Sequence, residues 1–170
     1  MRLQTITVVG AASVGLLVAA CSSGSSSSGA AAPSRAATAS PAATIQASKT
    51  TVSLRAIGGI PGKVLVGSNG RTLYLFEADK DGKSTCTGAC AAGWPPDTAT
   101  GTPQAGSGVK QSLLSMIKRP DGTKQVTYNG HPLYYFAADT SAGDDNGQGS
   151  KAFGADWYVV NASGKKVDTD

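Results

Sequence analysis

The chain has 170 residues, with 15 Lys and Arg against 11 Asp and Glu, a formal charge of +4. That length allows one domain and a tail, and an aromatic content of 6% with a single His excludes a large aromatic core and a His-rich metal site. Arg2, Arg35 and Lys49 precede residue 51 and every acidic residue follows it, so 51–170 carries a net charge of only +1, with no basic-aromatic stripe of the kind that binds nucleic acid.

Residues 1–20 pair a short positive start at Arg2 with an apolar run too short and too rich in Ala and Gly for a membrane span. The run ends in Val18-Ala19-Ala20-Cys21, which resembles a lipobox. It implies cleavage before Cys21 and a diacylglycerol on its thiol, with acyl chains such as palmitate holding the protein to the extracytoplasmic face of the cell membrane. Each buried CH₂ contributes about 0.8 kcal/mol. Residues 21–50 then form the lipidated Cys and a Ser/Ala/Pro tether with no hydrophobic period. As flexible coil it spans about 30 Å.

Residues 51–170 are the expected globular domain, and every Phe, Tyr and Trp lies there. Thr51–Ile57 alternates as a strand. Val66–Phe76 aligns with Val126–Phe136 at an offset of 60, giving repeats over about 60–100 and 112–165. Each copy holds an Asn-Gly pair between β-prone runs, which predicts a type I′ hairpin turn. In the first copy this register sets Val66 against Leu73, Leu65 against Tyr74, Val64 against Leu75 and Lys63 against Phe76. In the second it sets Tyr128 against His131, Thr127 against Pro132, Val126 against Leu133 and Gln125 against Tyr134. Tyr128–His131 is then the hydrogen-bonded pair, so Pro132 breaks no bond inside its hairpin. Tyr74 and Phe76 share one strand face, and Leu73 and Leu75 the other.

Ala89–Trp94 fits a helical turn stopped by Pro95-Pro96. Ser112–Arg119 leads through Pro120-Asp121-Gly122 into Lys124–Tyr128 as a hairpin, although Gln111–Ile117 also fits a short helix. Asp156–Asn161 is a further strand, followed by a turn at Ser163-Gly164. The fold class is therefore mainly β, a small antiparallel domain of two duplicated hairpin-containing repeats with long Gly-rich loops at about 78–110 and 139–155.

Tyr74-x-Phe76-x-x-Asp79 and Tyr134-x-Phe136-x-x-Asp139 resemble the Yx(FWY)xxD motif of a family of bacterial secreted repeats, many described as lipoproteins. Cys86-x-Gly88-x-Cys90 before Trp94-Pro95-Pro96, Asn146-Gly147-Gln148-Gly149 and Trp157-Tyr158-Val159-Val160 are similar to that family too. The resemblance brings no settled activity, and only an inferred link of some relatives to alkane use.

Cys86 and Cys90 in an exported domain favour a disulfide. A redox-active dithiol and a metal site are the alternatives, and the pair matches neither Cys-x-x-Cys nor a zinc set. Asp79 and Asp139 each begin a turn and fit an Asx role. Calcium is the alternative, through Asp79 with Asp81, or Asp139 with Asp144, Asp145 and Asn146. Tyr74, Phe76, Trp94, Tyr134, Tyr135, Phe136, Trp157 and Tyr158 fit a core, or a ligand platform if they face solvent. His131 is expected to be exposed. No catalytic motif, metal set or phosphate loop is present. The expectation is a monomeric, non-enzymatic binding or interaction module at the cell envelope, with no cofactor. Its partners are the membrane through the lipid anchor and an envelope protein or small ligand. A redox accessory of membrane electron transfer, or the handling of hydrophobic substrates such as alkanes, is the alternative.

Overall fold

Alternating apolar positions and Asn-Gly, Asp-Gly and Pro-Asp-Gly turns break the domain into many short strands. A computed structural model describes residues 50–169, so the leader 1–20, Cys21 and nearly all of the tether lie outside the described residues. In chain order the elements are β1 (Thr51–Ala56), β2 (Lys63–Val66), β3 (Tyr74–Phe76), α1 (Ala89–Gly93), β4 (Gln104–Ala105), β5 (Leu114–Lys118), β6 (Lys124–Tyr128), β7 (His131–Pro132) and β8 (Trp157–Val159). A 3₁₀ turn, Gln111–Leu113, leads directly into β5, so both readings of that stretch hold in part.

The strands form three small sheets, ordered β2-β1-β4, β3-β8 and β5-β6-β7. All pairs are antiparallel except β1 with β4. Two of the sheets meet at one point. Tyr74 N–H donates to Tyr134 O at 2.8 Å, and Tyr134 N–H donates to Tyr74 O at 3.0 Å. These residues are 60 apart, the repeat offset, so an approximate dyad passes between them and relates the two copies.

The second hairpin keeps its expected register, with Tyr128 opposite His131 and Thr127 opposite Pro132. Asn129 and Gly130 both have positive φ, 50° and 81°, as a type I′ turn requires. Leu133 N–H still donates to Val126 O, but Gln125 bridges Thr98 and not Tyr134.

The first hairpin departs from expectation. Val66 bridges Thr72, one residue short of Leu73, and Gly70 N–H closes a turn onto Gly67 O at 2.9 Å. The cause is local. Asn69 Oδ1 accepts from Arg71 N–H at 3.0 Å, an Asx bond that competes with the left-handed conformation. Only Gly70, φ 76°, then has positive φ in this turn, and the loop gains a residue. The expected pairs of Leu65 with Tyr74, Val64 with Leu75 and Lys63 with Phe76 do not form. Instead Leu73 N–H donates to Leu65 O, Val64 bridges Asn161, and β3 leaves the hairpin to pair with β8.

The alternation on β3 divides the interior. Tyr74 and Phe76 join one apolar cluster with Trp94, Tyr134, Trp157 and the two Cys residues. Leu73 and Leu75 join the other, with Leu65, Val126, Leu133 and Tyr158. Gly130 faces open space, whereas an ideal Cβ on Gly164 (φ 77°) would stand 2.3 Å from Asn129 Cβ. Gly130→Ala should therefore lower stability only by the left-handed strain, about 1–2 kcal/mol. Gly164→Ala should cost more, and urea midpoints of the two variants should fall in that order.

Candidate functional site

The motif residues converge on the dyad and exchange partners across it. Tyr74 OH donates to Asp139 Oδ2 at 2.5 Å, and Tyr134 OH donates to Asp79 Oδ2 at 2.6 Å. Each Tyr thus serves the Asp of the other repeat. The remaining carboxylate oxygens take donors from their own loops. Asp79 Oδ1 accepts from Thr85 N–H and Oγ1–H, both at 2.7 Å. Asp139 Oδ1 accepts from Asn146 N–H at 3.0 Å and Nδ2–H at 3.2 Å. Both Asp residues are buried. They anchor turns, as an Asx role implies, but each also closes a contact between repeats that the sequence does not announce.

The Asp79 and Asp139 oxygens of the two calcium readings are thus held by donors, and Asp144 Oδ2 likewise accepts from the N–H groups of Thr140 and Ser141. Burial, reinforced by the hydrogen bond to Asp139, drives the Tyr74 phenol far above its ordinary pKa. Burial and Asp79 do the same for Tyr134. These phenols therefore stay protonated at neutral pH and act as donors, not as acid–base groups.

The aromatics exchange in the same way. Phe76 stacks on Trp157 at 4.1 Å, Trp157 on Trp94 at 3.9 Å, and Trp94 on Phe136 at 4.3 Å. Each Phe lies against the Trp of the other repeat. Tyr74 meets Trp94 edge-on at 5.4 Å, and Tyr134 meets Trp157 edge-on at 5.2 Å. Tyr74, Phe76, Trp94, Tyr134, Trp157 and Tyr158 are buried, with Tyr135 and Phe136 partly so. These residues build a core and leave no exposed aromatic platform. Gly147 fits beneath the stack, since a Cβ there would stand 2.7 Å from Trp94.

Cys86 and Cys90 form the expected disulfide, Cα–Cα 5.2 Å, across the start of α1. The sulfurs belong to the aromatic cluster and the residues are 1% and 7% exposed. Thiol–disulfide exchange needs an accessible sulfur, so this burial suits a structural bridge.

Sequence reasoning missed two buried groups. Arg119 is 3% exposed. Its Nη1 donates to Ser84 Oγ and Gln125 Oε1, both at 2.6 Å, and its Nη2 to Cys86 O at 2.7 Å. Ser84 Oγ lies 2.7 Å from Tyr134 OH, which links this cation to the Asp79 end of the exchange. Asp97 follows Pro95-Pro96, and its backbone is fixed by bonds to Leu133 O and from Val126 N–H. Its side chain is thereby turned inward. Oδ1 accepts from Tyr135 OH at 3.1 Å, and Oδ2 has no hydrogen-bond partner among the described residues. Burial raises its pKa from 3.8 to about 6, against the opposing pull of the Tyr135 bond. Neither residue belongs to a recognisable spacing, and only the tertiary contacts reveal them. His131 is half-buried, contrary to expectation, at the rim of a cavity of about 370 Å³ beside Lys80 and Lys165.

A family model described as a secreted repeat of unknown function matches residues 60–97 and 115–161, together half of the chain. Comparison with curated proteins and with solved structures returns no match.

Two outcomes follow from this geometry. Removing one phenol leaves a buried carboxylate oxygen without its donor, so Tyr74→Phe should cost about 1–3 kcal/mol. A double-mutant cycle should give coupling of about 0.5–3 kcal/mol between Tyr74 and Asp139, and near zero between Tyr74 and Asp79 of the same repeat. Asp97 makes stability depend on pH. Its raised folded-state value means that the folded chain holds a proton the unfolded chain releases. The resulting penalty is absent below about pH 4 and complete above about pH 6, on the order of 3 kcal/mol. Urea titrations from pH 4 to 7 should show wild-type stability falling across that window, and Asp97→Asn should flatten the trend.

Proposed function

Since the chain belongs to a family of secreted repeats of unknown function, we propose that it is an exported lipoprotein, held through Cys21 and acting as a non-enzymatic binding or interaction module at the cell envelope. One observation carries the second half of this reading. The motif residues Tyr74, Phe76, Asp79, Tyr134, Phe136 and Asp139 are consumed by the core. Their polar atoms are paired with one another and with loop donors. Chemistry at a substrate needs groups that are reachable, and these buried phenols and carboxylates are not. The surface is left to meet a ligand or partner.

The anchoring half rests on Val18-Ala19-Ala20-Cys21 and on the Ser/Ala-rich stretch behind it. Two or more acyl chains give durable attachment where one gives only reversible binding. A disulfide buried in the aromatic cluster weighs against the redox-accessory reading, and burial of the motif and Trp aromatics, which leaves Phe153 as the exposed large apolar side chain among the described residues, weighs against an extended apolar surface for alkanes.

In the native host, fractionation should place the wild-type chain with the membranes and label it with palmitate. Cys21→Ala should lose the label and either appear in the soluble exported fraction or persist as the uncleaved precursor. Membrane retention of a processed Cys21→Ala chain at the wild-type level would refute the anchor.

A further inference from the structure

We propose that the cavity between the Asp81-Gly82 turn and the β5–β6 hairpin binds a phosphate group. This deepens the binding-module reading by naming the class of ligand. The cavity holds about 590 Å³, within the range of small-molecule sites, and its lining includes Lys83, Ser84, Ile117, Lys118 and Arg119, with Asp81 the one lining carboxylate.

Three features of charge point the same way. Buried charges are ordinarily paired with an opposite charge. The Arg119 guanidinium spends both terminal nitrogens on neutral acceptors, Ser84, Gln125 and Cys86 O. Its Nε has no hydrogen-bond partner, and the nearest carboxylate, Asp121 at 3.5 Å, is mostly solvent-exposed. The cation at the cavity's edge is thus only partly compensated.

The second feature is a pair of like-charge contacts fixed by tight turns. Asp81 (φ 52°) and Gly82 (φ 67°) make a turn closed by Lys83 N–H onto Lys80 O, which sets Lys80 and Lys83 opposite each other. On the other wall Lys118 stands directly opposite Lys124 across β5 and β6. Like charges facing each other across strands destabilise a sheet; one lysine of each pair, Lys83 and Lys118, lines the cavity, and an anion beside these two reduces that cost.

Third, Lys83 and Lys118 have no side-chain hydrogen bond or ion pair among the described residues, so their donors are available. Three lining cations against one carboxylate suit a phosphate, whose several acceptor oxygens can meet more than one donor, better than a monocarboxylate. Ile117 adds an apolar wall for an organic substituent.

The source of the phosphate is a free phosphomonoester or the phosphodiester of a lipid headgroup or envelope polymer, and soluble probes separate the two. The full chain is titrated calorimetrically with glycerol 3-phosphate and with glycerophosphoglycerol at fixed ionic strength, which holds bulk screening constant. Wild type should bind at least one probe, tighter for the monoester if the ligand is free and for the diester if it is a headgroup or polymer. Lys83→Gln/Lys118→Gln, which alters exposed side chains only, should weaken binding at least tenfold. Lys110→Gln/Lys151→Gln removes the same charge elsewhere on the surface and should bind as wild type does. Binding of neither probe, or equal weakening in both double variants, overturns the proposal. It would leave the membrane placement of the chain untouched, because that is read from Cys21 and fractionation.

Discussion

Among the buried polar groups of the domain, the Asp79 and Asp139 carboxylates are each completed by a tyrosine from the other repeat. An ionised carboxylate is tolerated in an apolar interior only when its lone pairs meet donors. Within one repeat the loop supplies donors to Oδ1 alone. The donor for Oδ2 exists only when the second repeat is docked with Tyr74 and Tyr134 side by side. A single copy would bury a half-satisfied carboxylate or leave its turn in water. The exchange therefore couples two loops, two β segments and the dyad into one requirement, and it explains why this duplication gives a closed pair. In a solenoid each unit offers the same face to the next; here both units turn their interacting faces inward.

The aromatic column follows from the same constraint. Once the two Tyr backbones pair, Phe76 and Phe136 lie two residues further along, on the same strand face, and must cross to the Trp of the partner repeat. The four-ring stack Phe76–Trp157–Trp94–Phe136 is what that geometry leaves room for. Offset and edge-on contacts of this kind add about 0.5–1.5 kcal/mol each beyond area burial. Gly147 is required beneath the stack because Trp94 and Tyr74 occupy the space a Cβ would take.

Much of this was readable at the level of pattern. The offset of 60 identified the duplication, and alternation on Tyr74-Leu75-Phe76 assigned side chains to the correct faces. Asn129-Gly130 set the second hairpin, because nothing competed with the left-handed geometry there. Asn69-Gly70 misled, because the Asn69 side chain bonds Arg71 N–H and shifts the register by one residue. Identical dipeptides thus gave different turns, and a local side-chain bond decided between them. The exchange of partners was not legible. Tyr74 and Asp139 lie 65 residues apart, and the motif places each Tyr nearest in sequence to the Asp it does not touch. Arg119 and Asp97 were invisible for the same reason, since nothing in their neighbours foretells burial.

The dyad also separates what is shared from what is not. Tyr, Phe, Asp and Trp are matched across it and are spent on the fold. The disulfide, Ser84 and Arg119 belong to no matched pair. Arg119 grips Cys86 O and Ser84, so the disulfide and this buried cation stabilise the same side of the domain. A duplicated fold that needed only its own stability could have kept both halves alike. The departure from symmetry lies where Lys83 and Lys118, which have no acidic partner among the described residues, each face a second lysine across a turn or strand pair, an arrangement that lowers stability. The net charge of residues 51–170 is only +1. Recognition there would depend on the placement of Lys83, Lys118 and Arg119, and not on the charge of the chain as a whole.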